Sequence, residues 1–390
     1  MKILIKKGII IDGTGAPPNE ADIVIMDGKI SEIGPGIGRK SSKFDNTIEA
    51  EGKYVLPGFI NCHVHFSLNA SPHPMNDMVR TDNYTLTIQG VQIAKKILKA
   101  GITTVRDMGS KHFEVLSIRN AINSGVIPGP TIIAPGQALL MTGGHFSGKE
   151  VDGVEACLSA ARAQLQAGAD FIKVMATGGL GKPDEIPGAQ ELTFDELKAC
   201  FSVARMAGKT SAAHAHGIEG IKDIIRAGVT SVEHGTLMDE EAMDLMIQKK
   251  TYLVPTFAAY WVMANEGKKK AVPEYMVRSS QWVLEEKIPR FKKAVKKGVL
   301  IAFGTDAGSP INPHENLEVE CRCMIEGGMT PMEVIVSLTK RAASLLQLGD
   351  KVGTLESGKR ADIVLLGGNP LEDIAQVANV VGVLKDGRPV

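Results

Sequence analysis

Eight short apolar runs, rich in β-branched residues, recur between residues 55 and 306, with longer amphipathic stretches between them. They lie at 55–64, 103–107, 131–135, 170–176, 211–216, 231–235, 251–256 and 299–306. Segments such as VEACLSAARAQLQAGA and FDELKACFSVARMAGK separate them, with apolar residues at helical spacing. Several of these segments end in a glycine suited to a helix C-cap: Gly101, Gly168, Gly208, Gly228 and Gly298. A helix between two strands returns the chain to the same end of the sheet, so the strands pair in parallel. Eight strand–helix units close into a (β/α)8 barrel, and the chain is expected to be α/β. An open doubly wound sheet is the competing architecture. It lacks its signature here, because no G-x-G-x-x-G opens a helix after a first strand.

Both ends of the chain have another character. ILIKKGIIID, ADIVIMDGKISEIG and FDNTIEAEGKYVL are β-branched runs divided by glycine turns, and ADIVLLGGNP and VVGVLKDGRPV repeat the pattern at the far end. Neither end is long enough for a core of its own. We therefore expect one small β-sandwich assembled from residues 1–56 and 353–390, around a barrel spanning 57–352. The 44 basic and 44 acidic residues balance, so nothing in the charge points to nucleic acid. The five cysteines are odd in number and irregular in spacing, which argues against a disulfide framework; Cys321 and Cys323 read as helix residues. The opening MKILIKKGIIIDGTG is broken by charges and glycines, so it reads as neither a secretory signal nor a membrane span. A cytoplasmic setting is the default expectation.

Chemistry in such barrels gathers where strands end. His63 and His65 close the first run and, one residue apart on a strand, face the same way. Lys173 lies inside the fourth run. His214 and His216 end the fifth, His234 the sixth and Asp306 the eighth. A lysine buried in an apolar strand is expensive as a free ammonium, and an ion pair, for instance with Asp306, is the ordinary remedy. Beside metal-binding histidines a cation would repel the metal. Carboxylation of the amine by carbon dioxide resolves the conflict, giving a carbamate with one negative charge and two oxygens. Two divalent ions set against a carbamate, Asp306 and a bridging hydroxide leave about one net positive charge, a Lewis-acidic centre. Imidazole and carboxylate suit zinc first, with manganese or cobalt also fitting. The glycine-rich GGLGKPDEIPG at 178–188 reads as an active-site loop. The lysine-rich segment 258–297 reads as a solvated helical pair, or as a cover over the barrel mouth.

PGFINCHVH, FIKVMATGG, AAHAHG, VEHGT, FGTDAG and GTLESGKRADIVLL together resemble the amidohydrolase superfamily across the whole chain. The branch resembled is that of prolidase-like and ochratoxinase-like hydrolases, related to imidazolonepropionases. The resemblance implies a distorted barrel with a β-sandwich and a carboxylated Lys173 bridging two metal ions. It also implies that His63, His65 and Asp306 hold one ion, and His214 and His234 the other. Relatives often carry tyrosine where His216 stands, so His216 is assigned either to substrate or to supporting a ligand. His145, in the TGGH segment, is assigned to substrate. The Gly-Asp usual after it is replaced by Phe146-Ser147-Gly148. His73, His112 and His314 read as surface or loop residues. The implied reaction is amide hydrolysis by hydroxide held between the two ions, with Asp306 as base and then acid. An N-acyl amino acid or dipeptide is the expected substrate, such as an ochratoxin-like N-acyl phenylalanine, Xaa-Pro or Xaa-Arg. A cyclic amide, as in imidazolonepropionases, is the alternative, and a non-catalytic structural relative a third. No nucleic-acid or membrane partner is expected. Homo-oligomers are, because relatives often assemble.

Overall fold

A computed structural model describes residues 1–40, 43–181, 183 and 185–390. The eight barrel strands are β1 (Phe59–Val64), β2 (Ile102–Asp107), β3 (Thr131–Ile133), β4 (Phe171–Met175), β5 (Thr210–Ala215), β6 (Ser231–His234), β7 (Tyr252–Val254) and β8 (Leu300–Ile301). They run in parallel in two arcs, β1-β2-β3 and β4 through β8, and a short strand Leu139–Leu140 flanks β4. Of the expected run 299–306, only Leu300 and Ile301 keep regular pairing. Beyond them the chain runs along β1 and closes the barrel. Cys62 N donates to Phe303 O at 2.8 Å, Asp306 N to His63 O at 2.9 Å and His65 N to Ala307 O at 2.8 Å. Asp170 bridges the other gap: its N donates to Ala134 O at 2.8 Å, and its carboxylate accepts from Ala134 N at 2.9 Å.

The expected run 55–64 is two strands. Tyr54–Pro57 pairs antiparallel with Ile363–Leu366, whereas β1 begins at Phe59. Gly58 marks the break, because a Cβ there would run into Thr103 of β2. Both chain ends share one eight-stranded sheet, separate from the barrel, in which Lys2–Ile10 pairs with Asn19–Met26, Asn46–Glu49 and Tyr54–Pro57. Its inner side chains, among them Ile3, Ile5, Ile23, Ile363 and Leu384, form one buried cluster.

All five expected capping glycines have positive φ, and Gly228 and Gly298 sit at left-handed helix caps. Helices Phe257–Glu266 and Glu274–Lys297 form the helical pair expected in 258–297, and their facing ends reach the barrel mouth. Among the described residues no helix is long and apolar enough to cross a membrane.

Candidate metal centre

Strand alternation brings the polar residues to the barrel axis. His63 and His65 both turn inward and meet Asp306, with Nε2–Oδ1 distances of 3.5 and 3.2 Å. On β5 and just past its end, His214 and His216 face the same way, with ring centroids 4.7 Å apart. β6 uses a different device. Ser231 and Glu233 already occupy its inward face, since both contact Arg106, so His234 should point outward. Its left-handed backbone, φ 71, turns it inward instead. Asp306 carries the same feature, φ 56. Two candidate ligands held there, one at the end of β6 and one beyond β8, mark backbone strain stored at one locus.

Two trios result. In His63, His65 and Asp306, and in His214, His216 and His234, one candidate ligand atom per residue lies within 4.8 Å of the others. The rings of His63 and His234, 5.1 Å apart, join them. Lys173 is in register with Ala212, two residues deeper than His214, and lines the same cavity. Burial lowers its amine to about 8, although Glu233 and Asp306 pull the other way. Among the described residues it has no ion pair; Asp306 engages His63 and His65 instead. The ordinary remedy for a buried lysine is therefore not used.

The residues fit a divalent ion. Burial lowers His63 to about 4 and His216 to about 3, and pushes His214 and His234 well down, so these imidazoles are neutral donors. Burial alone would raise Asp306, but His63 and His65 outweigh it and keep the carboxylate ionised. His214 Nε2 and His65 Nδ1 are buried without a hydrogen-bond partner, which native structures seldom tolerate.

A network beneath the site fixes the rings. His63 Nδ1 donates to Glu233 Oε2 at 2.8 Å, leaving the Nε2 lone pair toward the cavity. Arg106, fully buried, donates to Cys62 O at 2.8 Å, Ser231 Oγ at 3.0 Å and Glu233 Oε1 at 2.8 Å. Against its burial, Arg106 and His63 hold Glu233 at about 2. Thr256 Oγ1 donates to Pro255 O at 2.7 Å, so it accepts from His234 Nδ1, also at 2.7 Å. His234 Nε2 is thereby left as the free donor atom. His216 Nδ1 is 2.7 Å from Thr236 Oγ1, and its ring stacks on His234. Tyr260 OH lies 3.0 Å from His234 Nδ1 and 3.4 Å from His216 Nε2. Sequence reasoning missed Arg106, Glu233 and Tyr260. Charged residues inside the runs TTVRD and SVEHG were the available signal for the first two.

His145 lies in the cavity wall, its ring 4.5 Å from that of His214 and its Nδ1 3.1 Å from Glu191 and 3.3 Å from Glu185. A Cβ on Gly179 would stand 3.0 Å from the His145 ring and 3.3 Å from His214. This glycine of the 178–188 loop lets the two rings approach. Phe146, where the family pattern departs, lies 5.1 Å from His65 with the two rings tilted by 42°. His73 is exposed at the cavity rim and His112 is exposed.

His314 is a loop residue, as expected, but not a surface one. It is buried, and its Nε2 donates to His65 O at 2.9 Å, pinning the end of β1. Burial lowers it to about 4. As pH falls below about 6.5 the unfolded chain takes up this proton first, so the stability present above that pH is lost toward pH 4, by up to about 3 kcal/mol. His314→Gln keeps an N–H donor but does not titrate. Urea unfolding of metal-free protein should show the variant gaining about 3 kcal/mol on wild type between pH 7 and pH 4. Parallel losses in both proteins would contradict this.

A model of the amidohydrolase family matches residues 54–390. The chain belongs to the amidohydrolase family. An ochratoxinase of Aspergillus niger is 31% identical over 406 residues, covering 95% of this chain and 82% of the relative. An imidazolonepropionase of Pseudomonas putida is 26% identical over 388 residues, covering 90% and 89%. The crystal structure of a Xaa-Pro dipeptidase with methionine bound in its active site superposes with a TM-score of 0.93 at 38% identity, covering both chains in full. This amidohydrolase is thus a hydrolase on a TIM-type barrel, in a family that generally binds metal ions, and its two histidine-rich trios could hold them.

Proposed function

We propose that this amidohydrolase cleaves the amide bond of an N-acyl amino acid or dipeptide, using two divalent ions, zinc in the first instance. The observation that carries this reading is the pair of trios at the strand ends with the unpaired Lys173 beneath them. His63, His65 and Asp306 would hold one ion, and His214 and His234 the other. Bound there, the ions would polarise the carbonyl and acidify water toward pKa ~7. Lys173 would join them as a carbamate. The neutral amine adds to the carbon of carbon dioxide, an N–C bond forms and one proton leaves to solvent. The lowered amine pKa supports this, because the neutral nucleophile is then available near neutral pH.

Asp306 would accept a proton from the attacking water and pass it to the departing nitrogen. Glu233 and Arg106 keep the His63 ring oriented, and Thr256 does the same for His234. His145, in the wall beside His214, would contact substrate. His216 would serve as a supporting partner through Thr236 and Tyr260. The similar ochratoxinase and Xaa-Pro dipeptidase favour open-chain amides. The imidazolonepropionase relative, at lower identity, gives the cyclic alternative no better support. Metal-loaded enzyme should hydrolyse N-acyl amino acids or dipeptides and leave lactams, cyclic ureas and imidazolones intact. Turnover confined to rings would overturn the proposal.

A further inference from the structure

Above the metal-binding floor the cavity changes character. It spans about 950 Å³ of open space, solvent at its mouth included, and four methionines from four separate elements line it. Met75 comes from helix Pro74–Arg80, Met175 from the end of β4, Met263 from helix Phe257–Glu266 and Met276 from helix Glu274–Lys297. Phe146 and Leu180 add apolar surface from two loops. Among the described lining residues the only formally charged side chains are Lys173 and Asp306, both at the floor. Among the described residues no arginine or glutamate belongs to this lining; Glu185 and Glu191 stand at His145, 3.3 and 3.1 Å from its Nδ1.

Such a wall has two consequences. A cationic or anionic side chain brought against these methionines loses water and gains no partner from them, which is strongly unfavourable. Methionine is unbranched and polarisable, and it re-packs around differently shaped apolar groups. Met75 and Met276 are only half-buried, so they have room to move. The substrate's own carboxylate is a separate matter, since His145 and His73 stand in the same wall.

We propose that the cavity selects amide substrates with apolar side chains, tolerates a range of sizes among them, and rejects charged side chains. This rests on the amide-hydrolase reading above and narrows it against Xaa-Arg substrates. With metal-loaded enzyme, the N-acetyl forms of L-methionine, L-leucine and L-phenylalanine should fall within about tenfold of one another in kcat/KM, and those of L-arginine, L-lysine and L-glutamate at least about 100-fold below. Met276→Glu sits in the first turn of its helix, where a carboxylate is well tolerated. It should raise kcat/KM for N-acetyl-arginine relative to N-acetyl-methionine by about tenfold or more. Arginine and methionine derivatives turned over equally would overturn the selectivity and leave the hydrolase reading standing. Binding is read separately. Free L-methionine and L-phenylalanine should raise Tm, and L-arginine and L-glutamate should not. Equal shifts would overturn the selectivity even where nothing is hydrolysed. Apolar shifts without turnover of any amide would uphold it and remove the hydrolase reading instead.

Discussion

Replacing Lys173 with alanine should remove metal and activity together. We expect bound metal to fall from about two ions per chain to below one, and kcat/KM to drop on the order of 10⁴-fold. The reason is charge. Without a carbamate, the candidate ligands are neutral imidazoles and the single carboxylate of Asp306. Among the described residues Asp306 sits with His63 and His65 alone, so no anion is left to be shared by both ions, and their mutual repulsion goes unrelieved. The fold itself should survive, because a free amine at this depth is a burden on stability: burial lowers it to about 8. Lys173→Met, which fills the space without the amine, should therefore unfold no more readily than metal-free wild type while lacking metal in the same way. A short carboxylic acid should restore part of the activity to Lys173→Ala by supplying the missing oxygens. Labelled carbon dioxide gives a readout independent of turnover, since wild type should show a carbamate signal on NMR that both variants lack. Full metal occupancy in Lys173→Ala would end the carbamate proposal.

The sequence was informative wherever function depends on spacing along one strand. His63 and His65, like His214 and His216, share a face because period-two alternation requires it, and the structure has both pairs inward. The capping glycines were legible for a similar reason, as each needs only its own φ. Contacts between distant elements were not legible. Arg106 reaches Glu233 across 127 positions, and Glu233 reaches His63 across 170. His314 meets the backbone of β1 across 249. A charged residue in a strand run signals burial but does not name its partner. The run 55–64 looked like one strand because apolar pattern does not say which sheet a residue joins. Its two halves pair with different partners, Ile363–Leu366 on one side of Gly58 and β2 on the other. Tyr260 was missed because its helix is apolar almost throughout, with no polar face to mark the hydroxyl.

Asp306→Asn is the sharper test of mechanism, because the backbone welcomes it. Residue 306 is held at φ 56, a region that asparagine enters more readily than nearly any other residue except glycine. Its carbonyl is gripped by Ser309 Oγ at 2.6 Å and Asn312 Nδ2 at 3.1 Å, contacts that do not depend on the side chain. The variant should therefore fold normally and retain most of its metal, since an amide oxygen still faces His63 and His65. The carboxamide has no basicity to take a proton and none to return. We expect kcat for an amide to fall by about 10³-fold to 10⁴-fold, with KM changed by about threefold or less. The leaving group decides what that loss means. An amide nitrogen must be protonated before it departs, whereas an activated ester oxygen departs without help. If Asp306 delivers that proton, the ester analogue should recover at least about tenfold of the loss. An equal loss for both substrates would leave Asp306 as a ligand or as a base toward water, and the proton for the departing nitrogen would have to come from another group in the cavity, such as His145 beside His214.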